Sequence, residues 1–536
     1  MSEPGCTRFA AIGLLLFIAV VTVPQINSAS VWDDGYMFVR YAGNVLQRGK
    51  IAWNPDGDPT YGPTSMLFLL CVSVPMRFLL PGDPGAAAAL SSVLCGAAFI
   101  GLTMFMVRRL APGRPELGNA LVLAVLACFA LAIRALSDHF VSGMDASFAL
   151  AFLTLYLIIC QQHERTPSRR TVLLLGLVGG LAMAARPDLL IFSFIVPASM
   201  LVFAPEARAR RDAARILALT ALAAALQCAL AKIYFNSPLP LSFYVKGQEF
   251  YGENIRRVYR FVPLREFTSF VQCYWPLFLT IILSITGNPR AWWAKSSPVH
   301  RGVALSTALF LSYYLFGVLQ IAFHSQRFYH PVLPALVFLA CDLVVRIVQD
   351  MPDERKDLLA QLAQAIPKRA TRVLVVLLIA AFLLPPFSRA VKALPRSFAF
   401  DLREEYRQRW NRYWAHLDQF SALPNDLVMA TTEVGRPSVM NPEKAILDLA
   451  GLNDTEIARH GFDADHILQK SKPDLLYMPY QHYAEMIEQI LNSPYFKAHY
   501  ELFPAPLSVT AMPVAIHKQS KRYRAMKAII QERRPP

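Results

Sequence analysis

Trp32-Asp33-Asp34-Gly35-Tyr36-Met37-Phe38-Val39-Arg40-Tyr41 follows closely on an apolar run from about residue 9 to 26. Two adjacent carboxylates at the mouth of a membrane helix are costly unless they meet water, a cation or a substrate, which makes Asp33 and Asp34 candidates for chemistry. From Tyr36 to Gln47, aromatic and apolar residues are interleaved with Arg40 and Asn44, and Arg48 follows, a pattern that predicts an amphipathic helix lying in the membrane interface. A surface anchor would explain Tyr36, Phe38 and Tyr41. It leaves the acidic pair unexplained.

The surrounding chain supplies the membrane. Of 536 residues, 54% are hydrophobic and 17% charged, and mean hydropathy is +0.34. The apolar residues gather into blocks of about 15 to 20, the length that spans a bilayer as helix. These blocks lie near 9–27, 64–80, 87–107, 117–134, 145–160, 171–185, 188–204, 214–232, 270–286, 303–322, 331–348 and 371–386. The expected fold is mainly α, a polytopic membrane protein with about 11 to 13 transmembrane helices. The formal charge of +15 does not indicate nucleic acid, because the basic residues sit in short loops between apolar blocks. Seven cysteines lie in or beside apolar segments, which indicates neither a disulfide framework nor a Cys/His metal site.

Loops carrying Arg108 and Arg109, Arg165 to Arg170, Arg208 to Arg215, Arg290 and Lys295, and Lys368 to Arg372 all fall on one side. The positive-inside rule makes that side cytoplasmic. The N-terminus is then cytoplasmic, its first helix uncleaved, and everything after residue 387 is external. That requires an odd number of crossings, and 64–80, with Pro75 and Arg77, is expected to be interfacial or re-entrant. Residues 388–536 change character: Asp426 to Thr432, Ala445 to Leu449, Asp474 to Met478 and Ser508 to His517 read as short strands between helical segments such as Gln481 to Asn492. The expected organisation is a transmembrane catalytic domain, 1–387, and a small α/β domain, 388–536.

The external segments concentrate polar groups. They include Ser142-Gly143-Met144-Asp145, Arg186-Pro187-Asp188, the Pro-broken loop from Lys232 to Lys246, and His324-Ser325-Gln326-Arg327-Phe328-Tyr329-His330. Each cation alone reads as an interfacial anchor. Together with the carboxylates they suit chemistry on an anionic lipid. Outside the cytoplasm there are no sugar nucleotides, so an enzyme moving sugars there would draw on a lipid-linked sugar phosphate. One carboxylate would take the acceptor proton, while Arg or Lys neutralises the departing phosphate. The other carboxylate could orient the first, bind sugar or hold a divalent cation, for which Asp34 is the candidate. A transporter or flippase of lipid-linked saccharide is the competing class, disfavoured because the spans carry few charges.

The ordered set of these segments resembles the polyprenyl-phosphate-dependent GT-C glycosyltransferases, most closely the branch containing the actinobacterial terminal arabinofuranosyltransferases. The resemblance rests on Asp33-Asp34-Gly35-Tyr36 with Arg40, Tyr41 and Asn44, Gly62-Pro63-Thr64-Ser65, Ser142-Gly143-Met144-Asp145, Ala185-Arg186-Pro187-Asp188, the Tyr234 to Lys246 loop, Arg327 with Pro331, Ala430-Thr431-Thr432-Glu433-Val434-Gly435, and Asp448 to Asp454. It implies a GT-C membrane fold with a periplasmic C-terminal domain in a bacterial inner membrane. It also implies inverting transfer from a polyprenyl-phosphate sugar to a glycan, glycolipid or protein of the cell envelope. Asp33 then carries over as general base and Asp34 as its partner. Arg40, Tyr41, Asp145, Arg186, Lys246, Arg327 and His330 are expected at the substrate. Asp145 and Pro63 depart from the pattern, in which Glu and an aromatic residue are usual, so the sugar, arabinofuranose or a hexose, does not carry over.

Overall fold

The acidic pair opens a helix, Asp33–Arg48. Its first turn carries Asp33 and Asp34 and its last turn Arg48, the arrangement that complements the helix dipole. Gly49, at φ 65°, ends it by donating its N–H to the Val45 carbonyl. A computed structural model describes residues 4–22, 31–247, 259–287, 289–318, 320, 326–350, 414, 416–480, 483–504 and 512–531. The apolar block at 371–386 and the boundary expected near 388 lie outside the described residues.

Before residue 351 the described chain is helical. Four helices are long and apolar enough to cross a membrane: Pro84–Leu110, Ala146–Arg165, Ala207–Phe235 and His330–Gln349. Two further pairs, Pro115–Leu131 with Ile133–Val141 and Val262–Cys273 with Trp275–Leu283, meet the same test but bend by 79° and 84°. Several apolar blocks that read as single spans are therefore broken or short among the described residues. Met66–Leu79 is one of the short ones. At about 1.5 Å per residue its 14 residues reach roughly 21 Å, less than the ~30 Å hydrocarbon core. Arg169–Ala185 packs closely on Ala207–Phe235, because Gly180 leaves no room for a Cβ against Ala223. The outer face of Ala207–Phe235 exposes Leu222, Leu226, Leu230 and Ile233, as a lipid-facing helix would.

The C-terminal region folds on a five-stranded sheet. Its strands are β1 (Val428–Thr431), β2 (Ala445–Asp448), β3 (Leu475–Tyr477), β4 (Tyr500–Phe503) and β5 (Val514–His517), in the order β2-β1-β3-β5-β4. The first three are parallel, with Ala430 opposite Leu447 and Leu476, and β5 runs antiparallel to β3 and β4. Helices such as Ala464–Ser471 and Ala484–Asn492 cover it. β4 is an edge strand that lies outside the short runs read as strands from the sequence.

The Asp33–Arg48 helix joins the two parts, and much of its polar stripe is packed against protein. It buries Tyr36, Phe38, Val39, Arg40, Tyr41 and Asn44. Phe38 meets Phe68 edge to face, and both belong to an apolar cluster that continues through Trp53 into Trp414, Phe420, Met429 and Tyr477. Arg40 is expected at substrate, yet it is 5% exposed, with all five guanidinium N–H donors engaged. Nε donates to the Trp53 carbonyl (2.7 Å), Nη1 to Ser438 O (2.7 Å) and Asn441 O (3.1 Å), and Nη2 to Asn54 Oδ1 (3.1 Å) and Lys444 O (2.8 Å). Nothing is left for a ligand. Tyr41 is likewise buried and donates to Asn453 Oδ1 (2.9 Å), so it too fastens the joint. The indole N–H of Trp53 reaches Ile446 O (2.8 Å) and Asn54 Oδ1 accepts from Ile446 N (2.8 Å).

Replacing Arg40 by Met keeps the stem but strands several buried acceptors, a loss of roughly 3 kcal/mol or more. The melting midpoint in detergent should fall, and limited proteolysis should release the α/β domain. An unchanged midpoint and digestion pattern would contradict the clamp.

Candidate active site

β1 runs toward the joint and ends at Thr431. The chain goes from β1 to β2 on one side and then returns to β3 on the other, so the carboxyl end of β1 is a topological switch point, where parallel α/β sheets form crevices. Thr432, Glu433 and Val434 occupy that end, followed by the short helix Gly435–Met440. Thr431 Oγ1 accepts the Glu433 N–H (3.3 Å) and holds the turn.

Asp33 meets this turn directly. Its Oδ2 accepts from Gly435 N (2.7 Å) and its Oδ1 from Arg436 N (2.8 Å). The approach needs glycine at 435, because a Cβ there would collide with the Asp33 main-chain carbonyl. From the other side Trp32 N donates to Ser142 O (2.9 Å), and Gly35 sits so close to Ser142 and Gly143 that it too admits no Cβ. The quoted Gly35, Gly143 and Gly435 thus mark one packed corner. Burial pushes the Asp33 carboxyl up to about 6; the two backbone N–H groups oppose this and the negative charge of Asp34 adds to it.

Asp34 points elsewhere, as adjacent residues on a helix must. Its Oδ2 pairs with Arg327 Nη1 at 2.8 Å, in a partly solvated setting where the side chains are 37% and 21% exposed. Arg327 lies against the Phe328 ring, 4.9 Å from its centroid, in a turn whose Gln326 N–H is held by Glu266 Oε2 (2.8 Å). Behind it stands a second cluster. Asp145 accepts from Thr64 Oγ1 (3.4 Å) and faces Arg186 Nη1 at 3.9 Å. Arg186 Nε donates to both oxygens of Asp188 (3.1 and 3.0 Å), and Tyr314 O–H donates to the same carboxylate. Arg327 also interacts with Asp145. Charge therefore alternates inward from Asp34 through Arg327, Asp145 and Arg186 to Asp188.

One expected ligand is engaged by the protein itself. His330 is fully buried, bonded to the Tyr274 hydroxyl (3.0 Å) and the Gln326 carbonyl (3.2 Å), with its ring 4.0 Å from that of His139. It is part of the wall behind the Arg327 turn. Lys246 lies on the helix Leu241–Gly247, which reaches the joint through Leu241 N to Tyr61 O (2.8 Å), but its side chain lies outside the described residues. Conversely, the sequence presents Glu433 and Asp448 only as parts of longer motifs. Burial first, then the charges of Asp33 and Asp34, hold the Glu433 carboxyl well above the usual range. Asp448, buried and bonded to Asn453 and Ala450, is pushed up to about 7. A carboxylate at the carboxyl end of a strand, Asp448 closing β2 and Glu433 two residues past β1, was the signal available. Among the described residues no three His, Cys, Asp or Glu side chains are placed to hold a metal together. A divalent cation at Asp34 would compete with Arg327.

Two solved structures are similar along nearly the whole chain. The crystal structure of ArnT from Cupriavidus metallidurans bound to undecaprenyl phosphate has a TM-score of 0.50 and 14% identity, covering 94% of this chain and 98% of that one. The apo state of the same protein gives 0.48 over the same coverage, also at 14% identity. No family model and no curated protein matches the chain. At this identity the likeness establishes the fold, a helical GT-C membrane fold with a small sheet-containing region toward the C-terminus.

Asp33 should be protonated below about pH 6 and ionised above it. Asp34→Asn removes a neighbouring negative charge and should move that titration downward, read as the carboxyl band lost in Asp33→Asn by pH-dependent infrared spectroscopy. An unmoved or raised titration would contradict the coupling.

Proposed function

We propose that the protein is a membrane glycosyltransferase that moves a sugar from a polyprenyl-phosphate donor to a hydroxyl of a cell-envelope acceptor. One observation carries this reading. A carboxylate held by two backbone N–H groups, Asp33, and a carboxylate–guanidinium pair, Asp34–Arg327, meet where the helical part abuts the α/β domain. The fold supports it, since ArnT, which shares that fold, is bound to undecaprenyl phosphate in its crystal structure.

In this mechanism the acceptor hydroxyl approaches Asp33. Two of the four lone-pair positions of the carboxylate are taken by Gly435 and Arg436, which leaves capacity to accept a proton. The acceptor O–H bond breaks toward Asp33 as its oxygen bonds to the anomeric carbon. The bond from that carbon to phosphate oxygen breaks on the opposite face, which inverts the configuration. Charge then accumulates on the departing polyprenyl phosphate, and Arg327, with Arg186 behind it, stabilises that charge. Asp34 holds Arg327 in place. Asp145 and Asp188 orient Arg186 and offer acceptors to sugar hydroxyls. The donor is an arabinofuranosyl or hexosyl polyprenyl phosphate, and the acceptor a glycan, glycolipid or protein.

Purified protein incubated with a panel of polyprenyl-phosphate sugars and envelope acceptors should transfer one of them. Asp33→Asn should lower turnover about 10²- to 10⁴-fold while the melting midpoint is kept. Turnover near the wild-type rate in that variant would defeat the assignment. We also place the site outside the cytoplasm, in a bacterial inner membrane, with Met66–Leu79 not crossing. Single cysteines at Asp58 and Asp83, both exposed, should then react from the same outer side with a membrane-impermeant thiol reagent. Labelling from opposite sides would show that the segment crosses.

A further inference from the structure

Among the described residues both hydrogen bonds to the Asp33 carboxylate come from the far end of the chain, 402 and 403 residues away. One N–H meets each oxygen. Two donors on two oxygens fix the rotation of the carboxylate plane and so fix where the remaining lone pairs point. The donors are themselves held. Gly435 and Arg436 follow β1 and its turn, and the Arg40 fork gathers Ser438, Asn441 and Lys444 just beyond them onto the Asp33 helix. The absence of space for a Cβ at Gly435 keeps the two main chains in contact.

We infer that the α/β domain positions the catalytic base: the backbone N–H groups of Gly435 and Arg436 orient the Asp33 carboxylate, and the reaction centre is complete only when that domain is docked. This rests on the reading of Asp33 as the base. Gly435 and Arg436 are positioning residues, acting through Asp33 and not on substrate. The charged groups that face Asp33 are Asp34 on its own helix and Glu433 and Arg436 on the docking turn, with Arg327 beside Asp34 and Tyr36 one turn along. The two N–H bonds favour the ionised carboxylate, so losing one makes Asp33 harder to ionise and moves the acid limb of activity upward.

Arg436→Pro deletes one of these N–H groups at the start of a helix, where proline is tolerated, and Arg436→Ala removes the same charge but keeps the N–H. Their comparison isolates the backbone bond. In the full-length protein, Arg436→Pro should raise the acid limb of kcat/KM by about one pH unit relative to Arg436→Ala and cut kcat about tenfold. Identical limbs and identical kcat in the two variants would overturn the inference while leaving the glycosyltransferase reading intact if wild type turns over. If no donor supports wild-type turnover, that reading fails, and infrared titration of Asp33 still decides the inference. A higher Asp33 titration in Arg436→Pro than in Arg436→Ala upholds the positioning bond, and equal titrations refute it.

Discussion

The Asp33–Arg48 helix is bound on both sides, and its position depends on one guanidinium. Arg40 reaches five acceptors, four of them main-chain carbonyls, drawn from Trp53, Asn54 and the segment between Ser438 and Lys444. A planar fork can do this where a flexible ammonium cannot, because its five donors diverge in fixed directions. Burying a cation is costly unless every donor is satisfied, and here each one is. The consequence is a fixed registry between the helical part and the α/β part. Trp53, Asn54 and Tyr41 extend the same seam.

That registry determines which charges meet. The first turn of the helix brings Asp33 to Gly435 and Arg436 and Asp34 to Arg327. Neighbouring carboxylates thereby acquire different surroundings, one enclosed by main-chain donors and the other paired with a partly solvated cation. Environments that separate two acids in this way allow one to handle a proton and the other to hold charge. Arg186 lies deeper, its guanidinium shared among Asp188, Asp145 and Tyr314. It is a braced residue, whereas Arg327 is the more accessible cation of the two.

Much of this was legible in the chain. Apolar blocks announced a membrane protein, and alternating short runs marked four of the five strands within a few residues. Asp33, Asp34, Asp145, Arg186 and Arg327 were selected because polar groups gathered in loops, and the structure brings them to one place. Arg40, Tyr41 and His330 were misread for a common physical reason: periodicity shows that a polar side chain lies on a face, not whether its partner is substrate or protein. Three of the five acceptors of Arg40 are backbone carbonyls about 400 residues distant, which no local pattern encodes. The amphipathic pattern of Tyr36 to Gln47 carries the same ambiguity. A polar stripe suited to water or headgroups suits equally a buried seam that satisfies every donor. Bends such as the 79° break after Leu131 also escaped, since hydropathy measures composition and not direction.

In the proposed reaction Arg327 receives the phosphate of a polyprenyl donor while Asp33 faces the opposite side of the sugar. The most direct test is an experimental structure of the protein with a non-transferable polyprenyl-phosphate sugar. Phosphate oxygens should lie within hydrogen-bond distance of the Arg327 guanidinium, with the anomeric carbon between that phosphate and the Asp33 carboxylate. A phosphate bound away from Arg327, with the sugar out of reach of Asp33, would contradict it.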